Sequence, residues 1–331
     1  MIEYVDVIFG ICWGDEGKGK ISSALAKNYD YVCRWNGGPN AGHTVYLNGK
    51  KYKTHIIPSG VFHNKKSIIG PNCVINIDKF FDEIEYLQKE GFDTSLIKVS
   101  PKTNLITERH IRYDLKFLKP RLGTTGQGIA PAYGDKMLRI GKLAKNYLDK
   151  KYIWDGKLEG SVLCEGAQSF WLDINYGDYP YVTSSETLPY SACSLGFSPK
   201  KIKDIIGVAK IYDTKSGVDP LFPESLWQDD ELNKLIDLGK EYGTTTNRKR
   251  ITNWLNLAKL KEAIIISGTT KLIINKCDIL EQLNIFKLKT DNENSGPNFI
   301  KFNDFANMKQ YILNELKEYC DVVFSGHKES I

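Results

Sequence analysis

A chain of 331 residues with 41 % hydrophobic and 26 % charged side chains and 28 glycines has ordinary globular composition, which excludes a disordered, collagen-like or coiled-coil protein. Its 45 basic and 40 acidic residues leave a net charge of +5 with no long run of like charge, so a duplex-binding surface is not indicated and a small anionic ligand suits it as well. Seven scattered cysteines without a C-x-x-C pair point to a reduced, cytoplasmic chain, and neither a leader pattern nor a membrane-spanning apolar stretch is visible.

Residues 3–11 have the β-branched and aromatic content of a strand, and they run into a glycine-rich turn at 13–20 and a helical pattern from Ile21 to Tyr29. Strand, glycine loop and helix in that order open an α/β sheet with a phosphate site at its crevice. Further strands are expected at 31–35, 67–75, 161–165, 204–212, 271–275 and 320–325. Helices are expected at 78–90, 107–118, 141–150, 229–241, 254–265 and 304–319. This alternation predicts a large, mostly parallel sheet flanked by helices. The stretches 37–48, 120–136, 168–200, 214–227 and 242–253 resist assignment, and loops of that length usually serve function. No linker divides the chain, so residues 1–331 read as a single domain with loop-rich excursions.

Five motifs carry chemistry. The loop GICWGDEGKGK at 10–20 suggests a P-loop, but Gly19 follows Lys18 where Ser or Thr should hold magnesium. The physics of such a loop survives: glycine N–H groups approach phosphate, and a helix N-terminus and a lysine add positive potential. Asp15 and Glu16 would repel a triphosphate unless a cation intervenes or one carboxylate acts as a base; a solvated surface turn is the alternative. GGPNAGHT at 37–44 places His43 in a turn that leaves no core for it, open to a structural or an acid–base role. GTTGQG at 123–128, followed by PAYGDK and Arg139, reads as a phosphate cradle or as a flexible loop. In GTTTNRKR at 243–250, hydroxyls lead into Arg248 and Arg250, a set that recognises carboxylates or phosphates bidentately. LIINKCD at 272–278 runs an apolar strand into N-K-x-D. There Asp278 would accept from the ring N–H and the amine of guanine and reject adenine, with Lys276 along the base face.

Taken together, these residues resemble the adenylosuccinate synthetase family. The pattern comprises WGDEGKGK (13–20), GGPNAGHT (37–44), HIIPSG (55–60), GTTGQGIAPAYGDK (123–136), CEGAQ (164–168), LDINYGDYPYVTSS (172–185), FPES (222–225), YGTTTNRKR (242–250) and NKCD (275–278), colinear to the FSG at 324–326. The resemblance implies a P-loop-NTPase-like α/β fold and the GTP-dependent ligation of L-aspartate to C6 of IMP, giving adenylosuccinate, GDP and phosphate. It implies that Asp15 removes the purine N1 proton so that O6 attacks the γ-phosphate, that His43 acts as the acid at O6, and that Lys18 and Gln168 support the transferring group. Asp15 and the Gly42 carbonyl would be ligands of Mg²⁺, which answers the puzzle of acids beside a triphosphate. The purine nucleotide would meet Asp15, Glu16, Gly17, Lys18, Asn40, Ala41, Gly42, His43, Thr125, Gln168, Thr183 and Arg248, with Arg139 donated by the neighbouring subunit of a homodimer. L-Aspartate would meet Thr244, Thr245, Thr246, Arg248 and Arg250. GTP would meet Gly14, Asp15, Glu16, Gly17, Lys18, Gly19, Lys20, Gly42, His43, Thr44, Arg250, Lys276, Cys277, Asp278, Ser325 and Gly326.

The chain departs from the family pattern around the base and sugar. Gln127 stands where Arg is usual and Pro39 where His is usual; KSGVDP at 215–220 replaces R-V-G-A-G-P, and ETLPYS at 186–191 replaces N-T-T-A-G-G. The chain is also shorter, mainly between 279 and 320, where a short connection and one helix are expected; compact archaeal and phage relatives share this abbreviation. Phage relatives that take dGMP, giving the 2-amino product for diaminopurine DNA, supply the alternative acceptor. They tend to lose the carboxylate matching Asp15, so its presence favours IMP. A non-catalytic GTP-binding module is a third reading, disfavoured by His43, Arg248 and Arg250. Neither nucleic acid nor membrane is expected as a partner.

Overall fold

The apolar opening run forms strand β1 (Ile2–Gly10), in which Val5, Val7, Ile8 and Phe9 are fully buried. Val5, Val7 and Phe9 enter the largest core cluster, whereas Ile8 packs with Ile21 and Ala26 of the following helix, Lys18–Ala26. A strand covered on both faces needs continuous rather than alternating hydrophobicity, which is what this segment has. The computed structural model describes every residue except 48, 218, 221, 223–228, 244–248, 290–298 and 327–331.

With β1, the strands β2 (Tyr31–Arg34), β3 (Lys66–Ile69), β4 (Ile97–Val99), β5 (Gly160–Ser169), β6 (Ile202–Lys210), β7 (Lys271–Asn275) and β8 (Asp321–Phe324) build an eight-stranded sheet. Their order is β8-β7-β6-β1-β5-β2-β3-β4, and every neighbouring pair is parallel. The large parallel α/β sheet expected from the sequence is therefore present. From β1 the chain runs to β2 on one side, while β6, β7 and β8 extend the other. The crevice beyond the carboxyl ends of β1, β5 and β6 is thus a switch point, where such sheets bind ligands.

Several local expectations differ from what forms. Residues 141–150 are not one helix: the single turn Ala144–Asn146 is helical, and a second turn, Lys150–Tyr152, only begins at the end of the stretch. The backbone there is spent on the 103–105 segment instead, with Leu105 N–H donating to the Lys142 carbonyl and Ala144 N–H to that of Thr103, each at 2.8 Å. The unassigned 120–136 stretch ends inside a helix, Ile129–Leu138. Its Pro131 lies in the first turn, where a missing N–H costs no helical bond. Residues 37–48 are not all loop, since His43–Leu47 pairs antiparallel with Lys50–Thr54. Between 279 and 320 more survives than one helix: the hairpin Phe286–Lys289/Phe299–Phe302 precedes the helix Phe305–Leu316.

Candidate active site

The loop after β1 is shaped by a buried polar knot. Glu16 Oε2 accepts from Lys18 Nζ and from Ser169 Oγ, both at 2.8 Å, and Glu16 Oε1 accepts from Gly14 N–H at 2.7 Å. Gly10 makes room for this, because a Cβ there would stand 1.9 Å from Ser169 Oγ and 2.5 Å from Glu16 Oε2. Glu16 is thus committed to holding Lys18, and the other acid, Asp15, is left for chemistry. Asp15 takes a left-handed φ of 61°. It accepts from Arg250 Nε at 2.7 Å and from Ser216 Oγ at 2.8 Å. Burial would raise its pKa, but Arg250, Lys210 and the Ser216 hydroxyl outweigh burial and hold it below the ordinary value. Asp15 is therefore a carboxylate at neutral pH.

His43 is not in an open turn; it is buried at the start of its hairpin strand, 4 % exposed. Its Nδ1 lies 2.9 Å from Arg34 Nη2 and 3.0 Å from Glu165 Oε1, and Arg34 and Glu165 are themselves paired. Ser59 completes the group, donating to Glu165 from its backbone N–H and its hydroxyl. Desolvation, reinforced by Arg34 and opposed by Glu165, lowers the His43 pKa to about 4, so the ring is neutral at pH 7. Arg34 and Glu165 had no assigned role in the sequence, although Glu165 lies inside the CEGAQ motif.

The neutral histidine has a thermodynamic consequence. His43 has a reference pKa of 6.5 and one of about 4 when folded, so the unfolded chain binds more protons between those values. Its contribution to stability is intact above pH 6.5 and is lost as pH falls toward 4. Denaturant titrations of the protein and of His43→Asn should converge by about 3 kcal/mol between pH 7 and 4. Parallel pH profiles would contradict a buried neutral ring.

At β7 the N-K-x-D turn bends sharply, with Lys276 at a φ of 61°. Lys276 Nζ donates to the Gly239 carbonyl at 2.6 Å and to Glu241 Oε1 at 2.7 Å. Beside it, Lys20 Nζ donates to Ser325 Oγ and to the Gly326 carbonyl, at 3.0 and 2.7 Å. The amino end of the first helix is thus tied to the chain that follows β8.

These elements enclose one cavity of about 500 Å³. Of the residues expected from the sequence, Gly14, Asp15, Glu16, Gly17, Lys18, Gly19, Lys20, Asn40, Ala41, Gly42, His43, Thr44, Thr125, Gln168, Thr183, Arg250, Lys276 and Gly326 all line it. Cys277 and Ser325 adjoin the lining residues Lys276 and Gly326 in sequence, and neither they nor Asp278 line the cavity themselves. Arg139 is exposed at the end of its helix and does not face this cavity. Thr244, Thr245, Thr246 and Arg248 fall outside the described residues. Asn40 Oδ1 and Gln168 Oε1 are buried side-chain atoms of the lining that find no hydrogen-bond partner among the described residues. An orphaned buried acceptor costs about 1–3 kcal/mol unless a ligand satisfies it. Lys210, 2 % exposed, reaches the same space unforeseen, and buried Lys215 reaches it from the departing KSGVDP segment, which was expected near the nucleotide. Burial lowers the Lys210 pKa to about 8 despite Glu241 beside it.

The cavity also suits a hard cation. Mg²⁺ takes one or two carboxylates and fills its remaining positions with phosphate and water, and an ionised Asp15 and the Gly42 backbone both border the cavity. Among the described residues no cluster of three or more His, Cys, Asp or Glu could hold a metal alone. Such an ion would depend on ligand phosphates.

The adenylosuccinate synthetase family model matches residues 7–159 and 149–318. The adenylosuccinate synthetase of Porphyromonas gingivalis is 37 % identical over 337 residues, covering 85 % of this chain and 79 % of that protein. That of the archaeon Picrophilus torridus is 38 % identical over 351 residues, covering 91 % and 83 %. The structure of fully ligated adenylosuccinate synthetase from Plasmodium falciparum superposes with a TM-score of 0.84 at 29 % identity, over 97 % of each chain. Succinoaminodeoxyadenylate synthetase of cyanophage S-2L, bound to dGMP and dATP, shares the fold at a TM-score of 0.75 and 19 % identity. With its sheet, its crevice and its sequence all in agreement, this chain belongs to the adenylosuccinate synthetase family, and it is a GTP-dependent ligase that forms a carbon–nitrogen bond in purine biosynthesis.

Proposed function

We propose that the chain joins L-aspartate to IMP, with Asp15 as base. Its carboxylate takes the N1 proton, the electron pair moves through C6 to O6, and O6 bonds to the γ-phosphorus as the bond to GDP breaks. The aspartate amino group then bonds to C6, the C6–O6 bond breaks, and the departing phosphate carries off the proton that the amine loses. His43 hydrogen-bonds O6; Glu165 at Nδ1 stabilises any proton the ring receives, and an anionic phosphoryl group nearby opposes the effect of Arg34. Lys18, fixed by Glu16, and Gln168, with its unpartnered oxygen, flank the transferring group. Mg²⁺, held by Asp15 and Gly42, would offset phosphate charge. Lys276 and Asp278 select guanine in the donor, and Arg250 with the 244–248 segment takes the carboxylates of aspartate. The supporting observation is the single cavity onto which Asp15 and Lys18, His43, Gln168 and Lys276 converge from four separate chain segments.

A second acceptor is favoured by one feature. Lys215 and Ser216 depart from the family pattern and line the cavity together with Gly217, and Ser216 touches Asp15. The phage homologue of the same fold was bound to dGMP. Phosphate release should require GTP, Mg²⁺, aspartate and purine nucleotide together, and should be at least tenfold faster with IMP than with dGMP. The opposite preference would transfer the proposal to dGMP, and release without aspartate would remove it.

The proposal extends to a cytoplasmic homodimer in which Arg139 serves the neighbouring cavity. Arg139 is exposed at a helix end beside Met137, Leu138 and Ile140, which are 71, 70 and 63 % exposed. A monomeric mass by light scattering would remove this part. No helix among the described residues is long and apolar enough to cross a membrane.

A further inference from the structure

We infer that Glu241 is a positioning residue that couples the guanine pocket to the aspartate-binding arginine and to the catalytic base. The inference rests on the proposed roles of Lys276, Arg250 and Asp15. Glu241 is wholly buried, and its carboxylate takes four donors from three other parts of the chain. Oε1 accepts from Lys276 Nζ and Tyr212 OH, both at 2.7 Å; Oε2 accepts from Lys210 Nζ at 2.8 Å and Arg250 Nη1 at 2.6 Å. The same guanidinium donates from Nε to Asp15 at 2.7 Å. A continuous charge-assisted chain therefore runs from Lys276 through Glu241 and Arg250 to Asp15.

The surroundings are built for this junction. Gly239 ends the helix Asp230–Gly239, and a Cβ on it would stand 2.6 Å from Tyr212 OH and 3.2 Å from Glu241 Oε1. Burial would raise the Glu241 pKa, but Lys210, Lys276 and Arg250 hold it far below the ordinary value. The carboxylate is thus a permanent anion. Three cations face two carboxylates across it, which leaves one positive charge for an anionic ligand. Rigid placement of Lys276 by a bound base fixes Glu241 and, through it, the Arg250 fork that must meet the amino acid's carboxylate.

The test is kinetic, run with whichever purine nucleotide supports aspartate-dependent phosphate release, alongside GTP affinity measured by calorimetry. A wrong acceptor then shows in the protein itself, and a wrong junction only in the variants. Glu241→Gln should raise the KM for aspartate and weaken GTP binding, each by about tenfold, with a smaller change in kcat. Lys276→Met, which removes the link between the base pocket and Glu241 and leaves Arg250 unaltered, should raise the KM for aspartate several-fold, and that increment should vanish in the Glu241→Gln background. Unchanged aspartate KM in Lys276→Met, or an equal increment in both backgrounds, would overturn the coupling. So would an effect of Glu241→Gln on GTP or on aspartate alone. Lys276→Met decides the matter by itself if Glu241→Gln does not fold.

Discussion

Asp15→Asn should lower turnover with IMP by about a thousandfold while GTP affinity changes by no more than a few-fold. Asparagine is the right replacement because residue 15 sits at a φ of 61°, a region asparagine tolerates far better than alanine. The amide can still accept from Ser216 and Arg250, so the loop keeps its shape and only the proton acceptor is lost. Measuring at saturating Mg²⁺ separates loss of the base from weaker cation binding. Turnover within tenfold of the unaltered protein would remove Asp15 as the base.

Arg250→Leu should raise the KM for aspartate by about a hundredfold, the loss expected for a charge-assisted carboxylate contact. It should also lower the stability of the ligand-free protein by about 2 kcal/mol, because Asp15 and Glu241 each lose a close cationic partner. The loss stays moderate because Glu241 retains Lys210 and Lys276. Initial-rate kinetics and denaturant titration read the two effects separately. A normal aspartate KM with the stability loss would make Arg250 purely structural, and the reverse would take the ion pairs out of the fold's energetics.

What the sequence made legible were features written in contiguous residues. The opening strand, its glycine loop and the N-K-x-D strand are each carried by one short segment, and the structure puts their lining residues on one cavity. Local signals failed where tertiary pairing overrode them. Residues 142–144 give their backbone to 103–105 rather than to a helix, and Gly128 and Pro131 disguised a helix that begins with them. The supports of the site were hardest to foresee. Arg34 and Glu165 meet across 131 residues of sequence, and no spacing rule joins two lone charged residues so far apart. Glu241 precedes the threonine–arginine motif by only a few positions, but nothing local distinguishes it from a solvated helix-end carboxylate. Its role follows only from Lys210, Tyr212, Arg250 and Lys276 closing around it.

The most direct measurement follows the purine oxygen. IMP carrying ¹⁸O at position 6 is turned over with aspartate, GTP and Mg²⁺, and the released phosphate is analysed by mass spectrometry. Activation of O6 by the γ-phosphoryl group requires one labelled oxygen in each phosphate formed. Phosphate containing only oxygens from GTP and solvent would contradict it, whatever the fate of the aspartate.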